Sequence, residues 1–590
     1  VLSKGPGPGA GEARRSPVCG AFRFPGHPVT RSDSGVNSVV KDDIAQLIRE
    51  AIAAAQAAGR LPTVAVLEVP VERPTNPAFG DYATTLPMRL ARAVRMAPLQ
   101  IAQSIVEFLP PAPFLASAEI APPGFINFRL SPVWLTEQVE AILAAGEAFG
   151  QVPLGQGQRV QVEFVSANPT GPLGVPNGRA AALGDTLANV LTLAGYQVSR
   201  EYYVNDAGSR MEAFYQSVYA RYLQELGEPA EVPPDGYHGA YLIELAHELH
   251  REYGDQFCRL PPEEGMRRLG EIALRRMVES ARADLEALGV RYDVWFSEQS
   301  LYERSLVRQV IDLLRERGFV EEREGAVWFV SSALGEDKDN VLVRSNGVPT
   351  YFASDIAYHY DKFVLRGFDQ VIDIWGADHM GHVPRMKAAM QALGLDPDRL
   401  KILIHQMVTL RRGAEIVRMS KRTGDIITLR ELLEEVGRDA CRFFFLSRSA
   451  DTHIEFDLDL AKRQSNENPV YYVQYAHARI ASILRYAASQ GLEPAGGDVH
   501  RLQSDPELQL IRKMLQYPEV IEHAALMLAP HHLPYYAQDL ATVFHAFYTQ
   551  CRVVSEDLDL SRARLKLVKA AKTVLANCLR TMGVSAPEQM

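Results

Sequence analysis

Cysteine is scarce in this chain and never closely paired: Cys19, Cys258, Cys441, Cys551 and Cys578 lie far apart among 590 residues, with no CxxC spacing. That excludes a disulfide-stapled scaffold and a zinc site built on cysteine pairs, and it suits reduced thiols in a cytosol-like compartment. No apolar run approaches the ~20 residues that a membrane span needs. Positive charge is not in excess either. The 62 Lys+Arg against 72 Asp+Glu leave a net charge of −10, so no global field draws nucleic acid, although a local basic surface remains compatible with it. What is present is ordinary core material. Hydrophobic residues make up 47% and charged residues 23%, and a chain of this length divides into roughly three to five domains.

Residues 1–38 are rich in Gly, Pro, Ser and Arg without periodic apolar residues, a composition that buries too little surface to offset ordering entropy. They are expected to form a disordered leader, as an overextended start or nonessential tail rather than a transit peptide. From Val40 the pattern changes. Asp42–Gln56 has helical spacing, 64–72 reads as a strand, Leu86–Val94 and Ile101–Leu109 as helices, and 118–131 as paired strands around a Pro-Gly turn. These make an N-terminal α+β domain over 39–135.

Residues 159–172 read as a strand running into a Pro/Gly-rich loop, and with a helix at about 179–195 and a second strand at 197–205 they form the βαβ unit of a parallel nucleotide-binding sheet. Helices dominate 208–319, and short strands follow at 326–330 and 340–345. The sheet resumes at 370–376 and 401–410. The expected fold class is therefore α/β: a Rossmann-like domain with an insertion over 136–461, followed by an all-α bundle over 462–590.

Two tracts carry candidate chemistry. In VEFVSANPTGPLGVPNG (162–178), a loop leads from a strand end into a helix, where free backbone N–H groups suit phosphate. Glu163, Ser166 and Asn168 add polar groups at the strand end. Such a loop is equally compatible with a plain structural connection. In RMSKRTG (418–424), three cations within five residues precede Thr-Gly, a set able to clamp polyphosphate or simply to form a solvated basic turn.

Taken together, in this order, the two tracts resemble those of class I aminoacyl-tRNA synthetases. REYYVNDAG (200–208), YFASDIAYH (351–359), WGADHMGHVPRMKAAMQALG (375–394), RFFFLSRSADTHIEFDLDLA (442–461) and SNENPVYYVQYAHARI (465–480) narrow the resemblance to arginyl-tRNA synthetases. GDYAT (80–84) and PGFINF (123–128) extend it, so that it runs from about Val40 to Met590. It implies ATP-dependent ligation of L-arginine to tRNA(Arg) through arginyl-adenylate, and a C-terminal anticodon-binding bundle. ATP would arrive with Mg²⁺ bound through its phosphates, without zinc and without a protein metal site. The implied enzyme is a cytoplasmic monomer with no membrane contact.

The resemblance also assigns roles. Lys421, with Ser420 and Arg422, would neutralise the pyrophosphate end of the transition state. Gly174, Asn177, Gly178, Gly376, Asp378, His379 and Met419 would bind ATP. Glu163, Ser166, Asn168, Tyr351 and Asp355 would hold arginine. Tyr351 and Asp355 lie four residues apart, on one face if helical, and a guanidinium calls for a carboxylate in fork geometry. One segment departs from the family pattern. Where the family has His-x-Gly-His, this chain has Gly174-Val175-Pro176-Asn177. Both imidazole donors are missing, and loss of one such donor typically costs ~10²–10³ in rate. The alternative reading is therefore an impaired paralogue that binds tRNA or arginine without forming adenylate. His379-Met380-Gly381-His382 fits the missing pattern literally but belongs to the second half of the sheet.

For tRNA, Tyr471, Tyr472, Tyr475, His477 and Arg479 set aromatic rings beside cations, a combination that stacks unpaired bases. Arg562, Lys566 and Lys569 mark one face of a late helix. Resemblance adds Asn76, Tyr82, Phe125 and Asn127 in the N-terminal domain.

Overall fold

Five strands form the parallel sheet at the centre of the catalytic region: β1 (Arg159–Phe164), β2 (Gln197–Val204), β3 (Val294–Ser297), β4 (Gln370–Gly376) and β5 (Leu400–His405). The computed structural model describes residues 39–417 and 427–590; the leader and the 418–426 tract lie outside them. All four pairings are parallel, in the order β5-β4-β1-β2-β3. The order reverses between β1 and β4, and in such sheets the crevice outside the carboxyl ends at that point receives ligand. β1 is buried along nearly its whole length, with Val160, Val162 and Phe164 at 0% exposure, as expected of a strand covered on both faces.

Helix α1 (Val175–Leu193) follows β1 and packs back on the sheet. Gly184 lets it approach closely: a Cβ there would lie 2.2 Å from the Phe164 ring. α1 starts about four residues earlier than expected. Gly174 is its N-cap and Pro176 lies in the first turn, where the N–H that proline lacks has no intrahelical partner in any case. Helix α2 (Tyr351–Tyr360) precedes β4 and continues into a π-helical turn, Asp361–Leu365.

Three expectations are corrected. β3 falls inside a stretch read as helical; its four residues are too few for a period to show between long helices. Residues 64–72 are not a strand: their one bridge is Glu72–Ala83, and Leu67 is 96% exposed. Residues 401–410 are not one strand but two, since Val408–Arg412 leaves the sheet to pair with Ile454–Asp457 and Glu415–Val417.

On the N-terminal side, Tyr82–Thr84, Leu115–Ala121 and Phe125–Leu130 form an antiparallel sheet backed by helices Val40–Ala57, Leu86–Val94 and Pro98–Glu107. On the C-terminal side, helices Pro469–Ser489, Asp505–Met514, Tyr517–Met527, His532–Gln550 and Leu558–Thr581 pack as a bundle. Arg73 joins the two by donating to both Glu519 carboxylate oxygens at 2.8 Å.

Candidate active site

The chain leaves β1 through a strained turn. Val165 and Ser166 take φ of +71° and +40°, the left-handed region that a β-branched residue rarely enters, at a cost of roughly 1–3 kcal/mol each. Hydrogen bonds hold the turn. Ser166 Oγ donates to Glu163 Oε1 at 2.8 Å and accepts from the Tyr203 N–H at 3.1 Å, while Asn205 Nδ2 donates to the Ser166 carbonyl at 3.2 Å. Glu163 Oε2 is held by the Lys362 ammonium at 2.5 Å. Burial raises the Glu163 pKa despite that cation. Glu163 is thus engaged by protein groups at both oxygens, while Asn168 is exposed at the crevice rim.

Across the crevice stand two further carboxylates. Asp355 on α2 accepts no side-chain hydrogen bond among the described residues, and the atoms packed around it push its pKa up to about 6. Glu298, directly after β3, is 1% exposed. Its Oε1 accepts from Ser354 Oγ at 2.9 Å, while Oε2 is buried without a well-formed hydrogen bond among the described residues, and the buried Tyr203 hydroxyl lies close enough to favour the ionised form. Burial first, and then the neighbouring Asp355 charge, raise the Glu298 pKa to about 7. Glu298 and Tyr351 line a cavity of about 210 Å³ with Gly208, Tyr302 and Arg344. An unsatisfied buried carboxylate is costly unless a cationic donor completes it. Sequence reasoning missed Glu298; its signal is an acidic residue at the carboxyl end of the apolar run VWFS (294–297).

On the nucleotide side, the Gly174 N–H donates to Asn177 Oδ1 at 2.9 Å, so the replaced tetrad closes as a helix cap. Gly174 forms a backbone bridge with Thr428, and the Leu429 N–H donates to the Leu173 carbonyl at 2.7 Å. The loop after β1 therefore meets the chain immediately after 418–426. Ser420, Lys421, Arg422 and Met419 fall outside the described residues. Gly178 packs closely in α1: a Cβ there would come within 2.6 Å of Leu429 Cδ1. Gly376 ends β4, with Asp378 and His379 exposed on the following 3-10 helix and paired at 3.4 Å. His382 of the same helix accepts from Arg385 at 2.5 Å. Arg179, missed in the sequence, is fully buried and donates to the carbonyls of Gln406, Ser449 and Thr452 at 2.7–2.8 Å, fastening α1 beside the end of β5.

The tRNA candidates divide. Tyr471 and Tyr475 stack with centroids 6.2 Å apart, Arg479 donates to Tyr475 at 3.0 Å, and the Arg479 guanidinium lies 4.8 Å over Tyr548. Tyr472 is partly engaged by Thr542 and His545. Asn76 is exposed and caps a short 3-10 helix, while Phe125 is half-buried. Tyr82 and Asn127 are corrected: at 1% and 8% exposure they cannot present themselves to RNA, and the Tyr82 hydroxyl is taken by Glu519 and Arg73. His477 is likewise buried, bonded to the Pro587 carbonyl at 2.8 Å. Lys566 and Arg562 pair with Glu140 and Asp559, and Lys569 is exposed.

Known proteins share this layout. Residues 42–130 match the arginyl tRNA synthetase N terminal domain, 138–445 the class I (R) tRNA synthetase catalytic domain, and 473–590 the DALR anticodon binding domain. The arginine--tRNA ligase of Dehalococcoides mccartyi strain CBDB1 is 51% identical over 557 residues, covering 94% of this chain and all of that one. That of Carboxydothermus hydrogenoformans is 53% identical over 540 residues, covering 91% and 97%. The Thermus thermophilus arginyl-tRNA synthetase structure superposes with a TM-score of 0.73 at 24% identity, over 93% of this chain and 100% of the other, and so shares the fold. With three domains matched in order and relatives above 50% identity along nearly its whole length, the chain belongs to the arginyl-tRNA synthetase family.

Proposed function

We propose that this chain ligates L-arginine to tRNA(Arg) with ATP, through arginyl-adenylate, and that Asp355 and Glu298 hold the guanidinium while Tyr351 covers it. The observation that carries the reading is two neighbouring carboxylates with burial-raised pKa values, Asp355 and Glu298, neither of them ion-paired among the described residues. A guanidinium entering there meets both, and charge-assisted hydrogen bonds of this kind contribute about 1.5–3 kcal/mol. Ser166 and Asn168 lie on the opposite wall, suited to the α-amino group.

Arginine carboxylate then attacks the α-phosphorus of ATP and displaces pyrophosphate, and a terminal tRNA ribose hydroxyl takes the arginyl group. The chain supplies position and charge rather than a nucleophile. Gly376, Asp378 and His379 line the nucleotide side, and Lys421, with Ser420, Arg422 and Met419, would close on the phosphates. Mg²⁺ would enter with ATP, bound through its phosphates more than by a protein cage. For tRNA, the face formed by Tyr471, Tyr475 and Arg479 is the favoured surface, and Asn76 and Phe125 a second. We take the enzyme to be a cytoplasmic monomer; among the described residues no helix is long and apolar enough to cross a membrane.

Arginine-dependent ATP–pyrophosphate exchange with tRNA(Arg) present tests the reading. Exchange is expected; its absence with tRNA affinity retained would favour the impaired paralogue, which no observation here specifically supports.

A further inference from the structure

Lys362 lies in the π-helical turn that continues α2, and its side chain has no exposed surface. Lysine is almost never fully buried unless paired. Here its ammonium bridges two strands, contacting Glu163 Oε2 of β1 at 2.5 Å and Asp373 Oδ1 of β4 at 2.9 Å. Burial alone would strip its proton, but the two carboxylates outweigh burial and hold its pKa above the ordinary lysine value. The Lys362 charge in turn overcomes the effect of burial on Asp373, whose pKa is held down to about 2.

Both ends of this bridge reach a wall of the arginine crevice. Through Glu163, the bridge fixes Ser166 Oγ and with it the left-handed turn leading to Asn168. Through Asp373, it reaches His359 Nε2 at 2.9 Å, and His359 Nδ1 lies 2.7 Å from the backbone carbonyl of Asp355. An ion pair that served cohesion alone could be replaced by apolar packing at little cost. This one ends on the two segments that must face each other across the substrate.

We infer that Lys362 is a positioning residue for arginine: a buried cation that sets the β1 exit carrying Ser166 and Asn168 at a fixed distance from the α2 turn carrying Asp355. The inference rests on the arginine-pocket reading above. Lys362 touches no substrate and acts through Glu163 and Asp373.

The test uses the full chain in arginine-dependent ATP–pyrophosphate exchange with tRNA(Arg). Lys362→Met is expected to raise the arginine KM at least tenfold while the ATP KM stays within twofold. In a double-mutant cycle with Ser166→Ala, the Lys362→Met effect on arginine kcat/KM should be at least twofold smaller than in the parent chain, because the Glu163 branch of the link is already cut while the Asp373 branch remains. An unchanged arginine KM with merely fewer active sites, or effects that simply multiply, would overturn the inference. If Lys362→Met does not fold, Asp373→Asn serves, since it loosens the same bridge without leaving a lone buried anion. An arginine KM within twofold of the parent chain would then overturn the inference. Failure of the parent chain to use arginine at all would instead remove the pocket reading.

Discussion

Gly174 and Thr428 face each other in an antiparallel backbone bridge, although 254 positions separate them in the chain. Leu429 seals the junction by donating to the Leu173 carbonyl. The start of α1 and the point where the chain re-enters after 418–426 are therefore fixed to one another. Before 418–426, Val417 pairs with Leu410 in a short antiparallel strand.

In the proposed function, Lys421→Ala is expected to lower the exchange rate by about 10²–10³, the usual cost of removing one preorganised charge from a developing anion. Affinity for tRNA should change by less than threefold. Filter binding alongside exchange separates the two, and equal losses in both would remove Lys421 from the phosphate role.

Asn177 occupies the last position of the tetrad that departs from the family, and its Oδ1 satisfies the Gly174 N–H. Asn177→Ala should destabilise the protein by about 1 kcal/mol, as loss of a helix cap does, and slow exchange through the loosened loop. Installing His at 174 and 177 with Gly at 176 tests the departure directly. Gly174 has φ −86°, so its backbone conformation does not require glycine. A higher exchange rate would mark the present tetrad as a handicap, and an unchanged one would show that this cap is a working substitute.

Tyr82→Phe distinguishes a structural joint from an RNA contact. The hydroxyl lies between Arg73 and Glu519, and the ring packs under the Arg73 guanidinium at 4.4 Å. Its removal should lower unfolding stability by about 1–3 kcal/mol through the polar groups left unpaired, with tRNA affinity unaltered. A tRNA-specific defect without a stability change would return Tyr82 to the RNA surface.

The sheet, the α1 loop and the helical bundle were legible because each has a run, a period or a turn signal: a short apolar-rich run in β1, Pro and Gly after it, helical spacing beyond 462. β3 was not, because four residues between long helices carry no period, and Glu298 went unnoticed with it. Tyr82 shows the opposite failure. An aromatic residue in a short motif gives no sign of whether it faces solvent or a neighbouring domain, and only the approach of Glu519 from 437 positions away decides it. Lys362 and Asp373 were invisible for the same reason: a buried ion pair between distant strands leaves no local pattern.

Acid should weaken arginine binding while stabilising the fold. Asp355 and Glu298 have pKa values raised chiefly by burial, to about 6 and about 7 from ordinary values of 3.8 and 4.5. The folded protein therefore takes up protons at these sites at higher pH than the unfolded chain does. Stability from these groups rises as pH falls from about 7 toward 4.5 for Glu298 and from about 6 toward 3.8 for Asp355. Arginine needs both groups ionised, so protons compete with it over the same interval. The arginine KM is expected to rise about tenfold between pH 7.5 and 6, with the ATP KM nearly level. Glu298→Gln and Asp355→Asn should each weaken arginine by ten- to a hundredfold, the equivalent of one charge-assisted contact. Each should also remove its own inflection from the pH profile. A profile that is flat from 7.5 to 6 in the parent chain would show that neither carboxylate meets the guanidinium.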